Sequence, residues 1–287
     1  MQKLEHIHIE RIVAHYSAIP DIDSEAKLYG LATVLLRHYL GNEWASENVN
    51  IEHEEVHKRG RTGRSFFRTD SEEAEESLRH QERIVRLSEL LYNLQNVDGI
   101  EERLVSLQSG MLEATYAELE FAGHFHSRNV RVKFRERSGT KSQDYDFTAT
   151  FGANLEVCCE VKCKLEETDL GKNTIINTLI DARKQLPENA LGIIGVKIPE
   201  AWVRINESGP ILVSALNDLF RNSNRVIGVV VRWEETQLMP EGGGWIVYKF
   251  RVHWNQNMQS ADPDLLQFIE VFSNKVNNRW ISLRGFV

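Results

Sequence analysis

Four of the ionisable residues in SQDYDFTATFGANLEVCCEVKCK, residues 142–164, stand in a stretch that otherwise reads as buried β-structure. They are Asp144 and Asp146, then Glu160 and Lys162. Side chains alternate along a strand. On LEVCCEVKCK this puts Val157, Cys159, Val161 and Cys163 on one face, and Glu156, Cys158, Glu160, Lys162 and Lys164 on the other. Asp144 and Asp146 share a face of the preceding strand. If the two strands pair as a hairpin with those faces aligned, two or three carboxylates and an amine converge. That hard-oxygen set suits Mg²⁺ or Mn²⁺. The adjacent lysine can orient or activate a water, or steady a charged phosphate. The structural alternative is a solvated hairpin face with cross-strand Asp–Lys pairs.

The elements that must position these residues follow from period and punctuation. From Met1 to about Leu107 the pattern is helical. SEAKLYGLATVLLRHYL carries a Ser24 cap signal, apolar residues at helical spacing and a stop at Gly41. A second helix starts at Ser71, with acids in its first turn where the helix dipole favours them. Leu87, Leu90, Leu91 and Leu94 form its apolar stripe. The basic, glycine-interrupted stretch between these helices, His57–Arg68, reads as a solvated loop or a phosphate-contacting one; it has no GK[ST] and is not a phosphate-loop motif.

After Ser109 the texture changes. MLEATYAELEFAGHF is a helix. NVRVKFRER alternates, with Val130, Val132 and Phe134 opposite Arg131, Lys133, Arg135 and Arg137. DYDFTATF and LEVCCEVKCK follow around a turn at 152–154. The order over this half is α-β-β-β-α-β-α-β-β-α, and continuous apolar strands such as Val226–Val231 imply a central sheet covered on both faces.

The chain has 287 residues and a net charge of −8, which argues against coating nucleic acid by bulk charge but leaves room for a local basic surface around a metal. No apolar run reaches membrane-spanning length, and the N-terminal stretch lacks a signal-peptide pattern, so a cytoplasmic protein is expected. Three cysteines within six positions, Cys158, Cys159 and Cys163, form neither a disulfide framework nor a paired zinc motif. His6/His8 and His124/His126 could be metal pairs on strands, but ordinary packing histidines are the simpler reading. No GxSxG, phosphate-loop or GxGxxG motif is present.

An acid at the start of one strand and Glu-x-Lys on the next resembles the PD-(D/E)xK nuclease superfamily, the restriction-endonuclease-like fold. QDYD occupies the first position and Glu160-Val161-Lys162 the second. Gln143 replaces the family's proline, and the paired aspartates leave open whether Asp144 or Asp146 is the ligand. The resemblance covers roughly residues 109–198 in element order. It implies a mixed central sheet flanked by helices (residues 108–287), preceded here by a helical N-terminal domain (1–107) for substrate binding, dimerisation or regulation. It also implies a helix glutamate ahead of the strands, with Glu118 in AELEFA as the candidate, and a polar residue on the helix after them, Lys184 or Gln185. The resulting expectation is a Mg²⁺- or Mn²⁺-dependent endonuclease acting on DNA. Asp144, Asp146, Glu160 and Glu118 would hold metal, and Lys162 would position water. Arg131, Lys133, Arg135, Lys164, Lys184 and Gln185 would approach nucleic acid. The rival is a nuclease-like fold that only binds nucleic acid or protein.

Overall fold

The structure, a computed structural model, describes residues 6–19, 22–49, 74–136, 144–152, 155–165, 168–206, 208–240, 243–258, 263–273 and 279–287. The basic stretch His57–Arg68 and Arg137 lie outside these residues. We number elements among the described residues. The helices α1 (His6–Ser17), α2 (Ser24–Leu40), α3 (Asn42–Asn48), α4 (Ala74–Leu94), α5 (Ile100–Gln108) and α6 (Leu112–His126) precede every strand. The strands β1 (Arg131–Phe134), β2 (Phe147–Phe151) and β3 (Leu155–Cys163) follow. Then come α7 (Lys172–Gln185), β4 (Gly192–Lys197), α8 (Glu200–Arg204), α9 (Ser208–Arg221), β5 (Val226–Leu238), β6 (Gly244–Trp254) and α10 (Pro263–Ser273).

The protein is mixed α/β. Six strands form one sheet in chain order, antiparallel from β1 to β3, parallel from β3 to β5, and antiparallel again at β5–β6. Successive parallel crossovers in one direction put their helices on one face, and α7 and α9 both contribute to the apolar layer over Ile194, Val196, Val229 and Val231. The opposite face carries a larger layer. There Phe121 and Phe125 of α6 and Phe268 and Phe272 of α10 meet Phe147, Val157 and Ile193, and the same layer continues into Leu28–Leu40 of α2 and Ile84–Leu94 of α4. No helix of the described residues is long and apolar enough to cross a membrane.

Details depart from the sequence reading. Ser24 is the first helical residue of α2, and the cap is Asp23, whose carboxylate accepts from Ala26 N at 2.7 Å. His124 and His126 lie on α6, and His6 and His8 on α1, not on strands. Residues two apart on a helix do not face each other, so His124 and His126 do not form a ligand couple. β2 begins at Phe147, leaving Asp144 and Asp146 in the irregular approach to it. β5 runs on to Leu238, paired with β6 along that length, and Glu234 within it is buried in an ion cluster. Lys197 Nζ meets Glu234 Oε1 at 2.5 Å and Glu120 Oε2 at 3.3 Å, and Arg83 Nη2 meets Glu234 Oε2 at 2.9 Å. Burial opposes the charge on both Glu234 and Lys197, but their partners outweigh it. Arg83 and Lys197 hold the carboxyl below the usual range, and Glu120 and Glu234 hold the amine above its own.

The entry to α5 matters most for the site. Gly99 caps it with φ +80°, and Asp98 O accepts from Phe134 N at 2.9 Å, which docks the loop on β1. A Cβ on Gly99 would stand 2.6 Å from Phe134 O, so both the conformation and the approach require glycine. Gly99→Ala is therefore expected to destabilise the protein by about 1–3 kcal/mol, read as a lower denaturation midpoint in urea. An unchanged midpoint would contradict this docking.

Candidate active site

Glu160 and Lys162 point to the α7 side of the sheet, because their register partners on β4, Ile194 and Val196, belong to the apolar layer beneath α7. Glu160 is 1% exposed, while the Lys162 side chain keeps 25% of its surface. Their charged ends meet at 2.7 Å. Helix α7 buries Ile175, Leu179 and Ala182 against the sheet and ends at Gln185, beside this pair. With its amide nitrogen toward the carboxylate, Gln185 donates to Glu160 Oε1 at 2.8 Å, Glu160 Oε2 at 3.2 Å and Asp144 O at 3.2 Å. Its oxygen accepts from Lys162 Nζ at 3.0 Å. One amide thus orients the acid and the amine together.

Asp146 arrives from the neighbouring chain segment. β3 runs on past the start of β2, so its Val161 amide lacks a strand partner on that side. Asp146 Oδ2 accepts that N–H at 2.7 Å, while Asp146 N donates to Cys159 O at 3.0 Å. The carboxyl is 6% exposed and is pushed up to about 7, first by burial and second by the negative Glu160. The Val161 amide, Arg103 and Lys162 pull the other way but do not cancel these effects.

Arg103, which the sequence reading passed over, ties the helical layer to this point. It is 1% exposed, and Nη2 donates to Asp146 O at 2.7 Å and Arg135 O at 3.3 Å. Its Nε lies 2.8 Å from Glu118 Oε2, with the N–H off the line of the oxygen, so the two act as a charge pair. The guanidinium also covers the Phe134 ring at 5.1 Å. The signal was available in IEERLVSLQ: Ile100, Arg103, Leu104 and Leu107 fall on one helical stripe.

The structure thus gathers Asp146, Glu160, Lys162 and Gln185. Asp144 meets them through its main-chain carbonyl, and Glu118 is linked to Asp146 through Arg103. Lys184 points outward and pairs with Asp181 at 3.0 Å. Arg131 and Lys133 are exposed on β1 opposite Thr150 and Thr148, the same sheet face as Cys158 but two strands from Glu160. Arg135 stacks over Tyr145 at 5.0 Å. An open groove of about 1240 Å³ runs from Lys162 along α7 to Arg225. Among the described residues its charged lining is Lys162, Lys164, Arg183, Lys184 and Arg225 against Asp181 and Glu188.

Among the described residues no three His, Cys, Asp or Glu side chains form a ready-made metal cage. Mg²⁺ commonly takes one or two carboxylates and completes its shell with waters and substrate phosphate. Asp146 and Glu160, buried close enough for one to raise the other's proton affinity, fit such an ion. No protein-family model matches the chain, and no curated protein or solved structure matches it either.

The raised Asp146 carboxyl has a definite sign in stability. The folded state holds the proton more tightly than the unfolded one, so this group's contribution is complete below its ordinary range and is lost as pH rises through about 7. In chelator-containing buffer, Asp146→Asn should raise Tm at pH 8 and leave it nearly unchanged at pH 4. A lower Tm at pH 8 would show that the carboxylate is not held at a cost.

Proposed function

We propose that the protein is a divalent-metal-dependent nuclease of restriction-endonuclease-like fold that hydrolyses phosphodiester bonds, with DNA as its substrate. The observation that carries this reading is the meeting of two buried carboxylates, Asp146 and Glu160, with one partly exposed amine, Lys162, at the head of a basic groove. The mixed sheet, with α6 on one face and α7 on the other, supports the fold assignment.

The parts divide by chemistry. Asp146 and Glu160 supply the anionic oxygens that would hold Mg²⁺ or Mn²⁺. Such an ion supplies polarisation of a phosphoryl oxygen and a more acidic water. Lys162 has three donors and no acceptor. It holds Glu160 with one, gives a second to Gln185, and can turn the third toward a water or a non-bridging phosphate oxygen. Gln185 keeps the acid and the amine in register, and Arg103 holds the main chain of Asp146 still. Groove residues such as Arg183 and Arg225 favour the polyanionic strand.

A binding module without catalysis is the second reading. Lys162 and Gln185 already give the Glu160 oxygens partners, so that carboxylate is held without an ion.

Cleavage separates the two. The protein with Mg²⁺ or Mn²⁺ should cut DNA, and chelation should stop it. Glu160→Gln keeps the shape and removes the anion, and should lower cutting by more than about 100-fold. Lys162→Ala should lower it comparably while sparing Mn²⁺ binding. Equal cutting by the Glu160→Gln protein would end the assignment. Binding of DNA with no cutting under any divalent ion would establish the module.

A further inference from the structure

Beside the groove lies a second, smaller cavity of about 90 Å³ between α7, α9 and the ends of β4 and β5. One water needs roughly 10–15 Å³ by this measure, so the space would take several waters or one heteroaromatic ring system. Its walls are apolar and include Trp202, Trp233, Val203 and Leu212. The indole N–H of Trp202 donates to Thr168 O at 2.6 Å, and that of Trp233 to Glu235 Oε1 at 2.7 Å. Both indoles have therefore spent their polar end elsewhere, and the cavity meets their hydrocarbon and π surface. Among the described residues its charged lining, Lys164 and Arg251, is cationic.

The cavity adjoins the groove that leads from Lys162. Lys164 and Thr178 line both it and the groove. Lys164, the first residue past the end of β3, keeps an extended contact in which its N–H donates to Lys197 O at 2.9 Å. It follows Lys162 by two positions, a rise of about 6.6 Å, so a strand whose phosphate reached Lys162 would bring its adjacent nucleoside to the cavity mouth. An aromatic, uncharged body with an anion on each side is the chemistry that two tryptophans and two flanking cations select. Bases extruded from a stack are held in this way, between aromatic or apolar walls.

We propose that this cavity receives one unstacked nucleobase next to the bond to be cut, so that the enzyme acts on single-stranded or locally distorted DNA in preference to a regular duplex. The proposal rests on the phosphodiester reading above and names its substrate class.

The test is binding by the Glu160→Gln protein, read by anisotropy of labelled oligonucleotides in Ca²⁺. An intact single strand should bind about ten-fold more tightly than the same strand with a run of abasic positions, and more tightly than a duplex of equal length. Arg251→Ala, at an exposed position, and Val203→Trp, at the cavity mouth, should each bring the intact and abasic strands to near-equal affinity. The proposal is overturned if the unmodified cavity does not distinguish intact from abasic strands, or if octanoate quenches the tryptophan fluorescence while oligonucleotides compete for nothing. The two readings fail separately. Cutting without base discrimination sinks the cavity proposal alone, and discrimination without cutting by the parent protein sinks the nuclease reading alone.

Discussion

Two carboxylates buried side by side are costly unless positive charge and hydrogen-bond donors surround them. Asp146 and Glu160 are in that position, and much of the molecule can be understood as the means of holding them there. Lys162 and the Gln185 amide face Glu160, the Val161 amide faces Asp146, and Arg103 grips the Asp146 carbonyl. The donors come from three elements. β3 supplies two of them through strand geometry, α7 supplies Gln185 at its last turn, and α5 supplies Arg103 one turn after Gly99 docks on β1. The compensation is incomplete, as the raised Asp146 shows, and a hard dication is the group that would complete it.

The other face of the sheet carries its own buried charges. Lys197, Glu120, Glu234 and Arg83 join α4 and α6 to β4 and β5, with Lys197 also lying over the Tyr116 ring at 4.4 Å. Such a cluster adds little net stability over an apolar replacement, but breaking one member leaves a charge uncompensated at about 3–5 kcal/mol. Its effect is positional. Glu120 is two residues beyond Glu118 on α6, so the contacts that hold Glu120 to Lys197 and Arg232 also fix the height at which Glu118 meets Arg103. The two faces are therefore linked through one helix. Gly195 on β4 permits the closeness, since a Cβ there would lie 3.0 Å from the Phe121 ring.

Much of this was legible in the sequence, for local reasons. The alternation in LEVCCEVKCK places Glu160 and Lys162 on one face, and the apolar runs of β4 and β5 announce a covered sheet. The stripe Leu28, Leu31, Leu35 and the glycine at position 41 delimit α2. What escaped depends on partners far along the chain. Arg103 reads as one charge among several until Asp146, 43 residues away, supplies its carbonyl. Glu234 resembles a strand end until Arg83, 151 residues away, neutralises it. Glu118 is visible as a helix acid, but its pairing with Arg103 instead of an open carboxylate cluster is set by the docking of α5. The short helices α3 and α8 escaped because one or two turns carry too little period to register.

In the proposed function Asp146 and Glu160 jointly hold a divalent cation. The most direct measurement is an anomalous difference map from crystals of the protein grown or soaked with Mn²⁺. The account predicts a peak within about 2.0–2.5 Å of a carboxylate oxygen from each residue, absent in the Asp146→Asn and Glu160→Gln proteins. A map with no peak there, or with Lys162 still closing the Glu160 carboxylate while Mn²⁺ sits elsewhere, would contradict it.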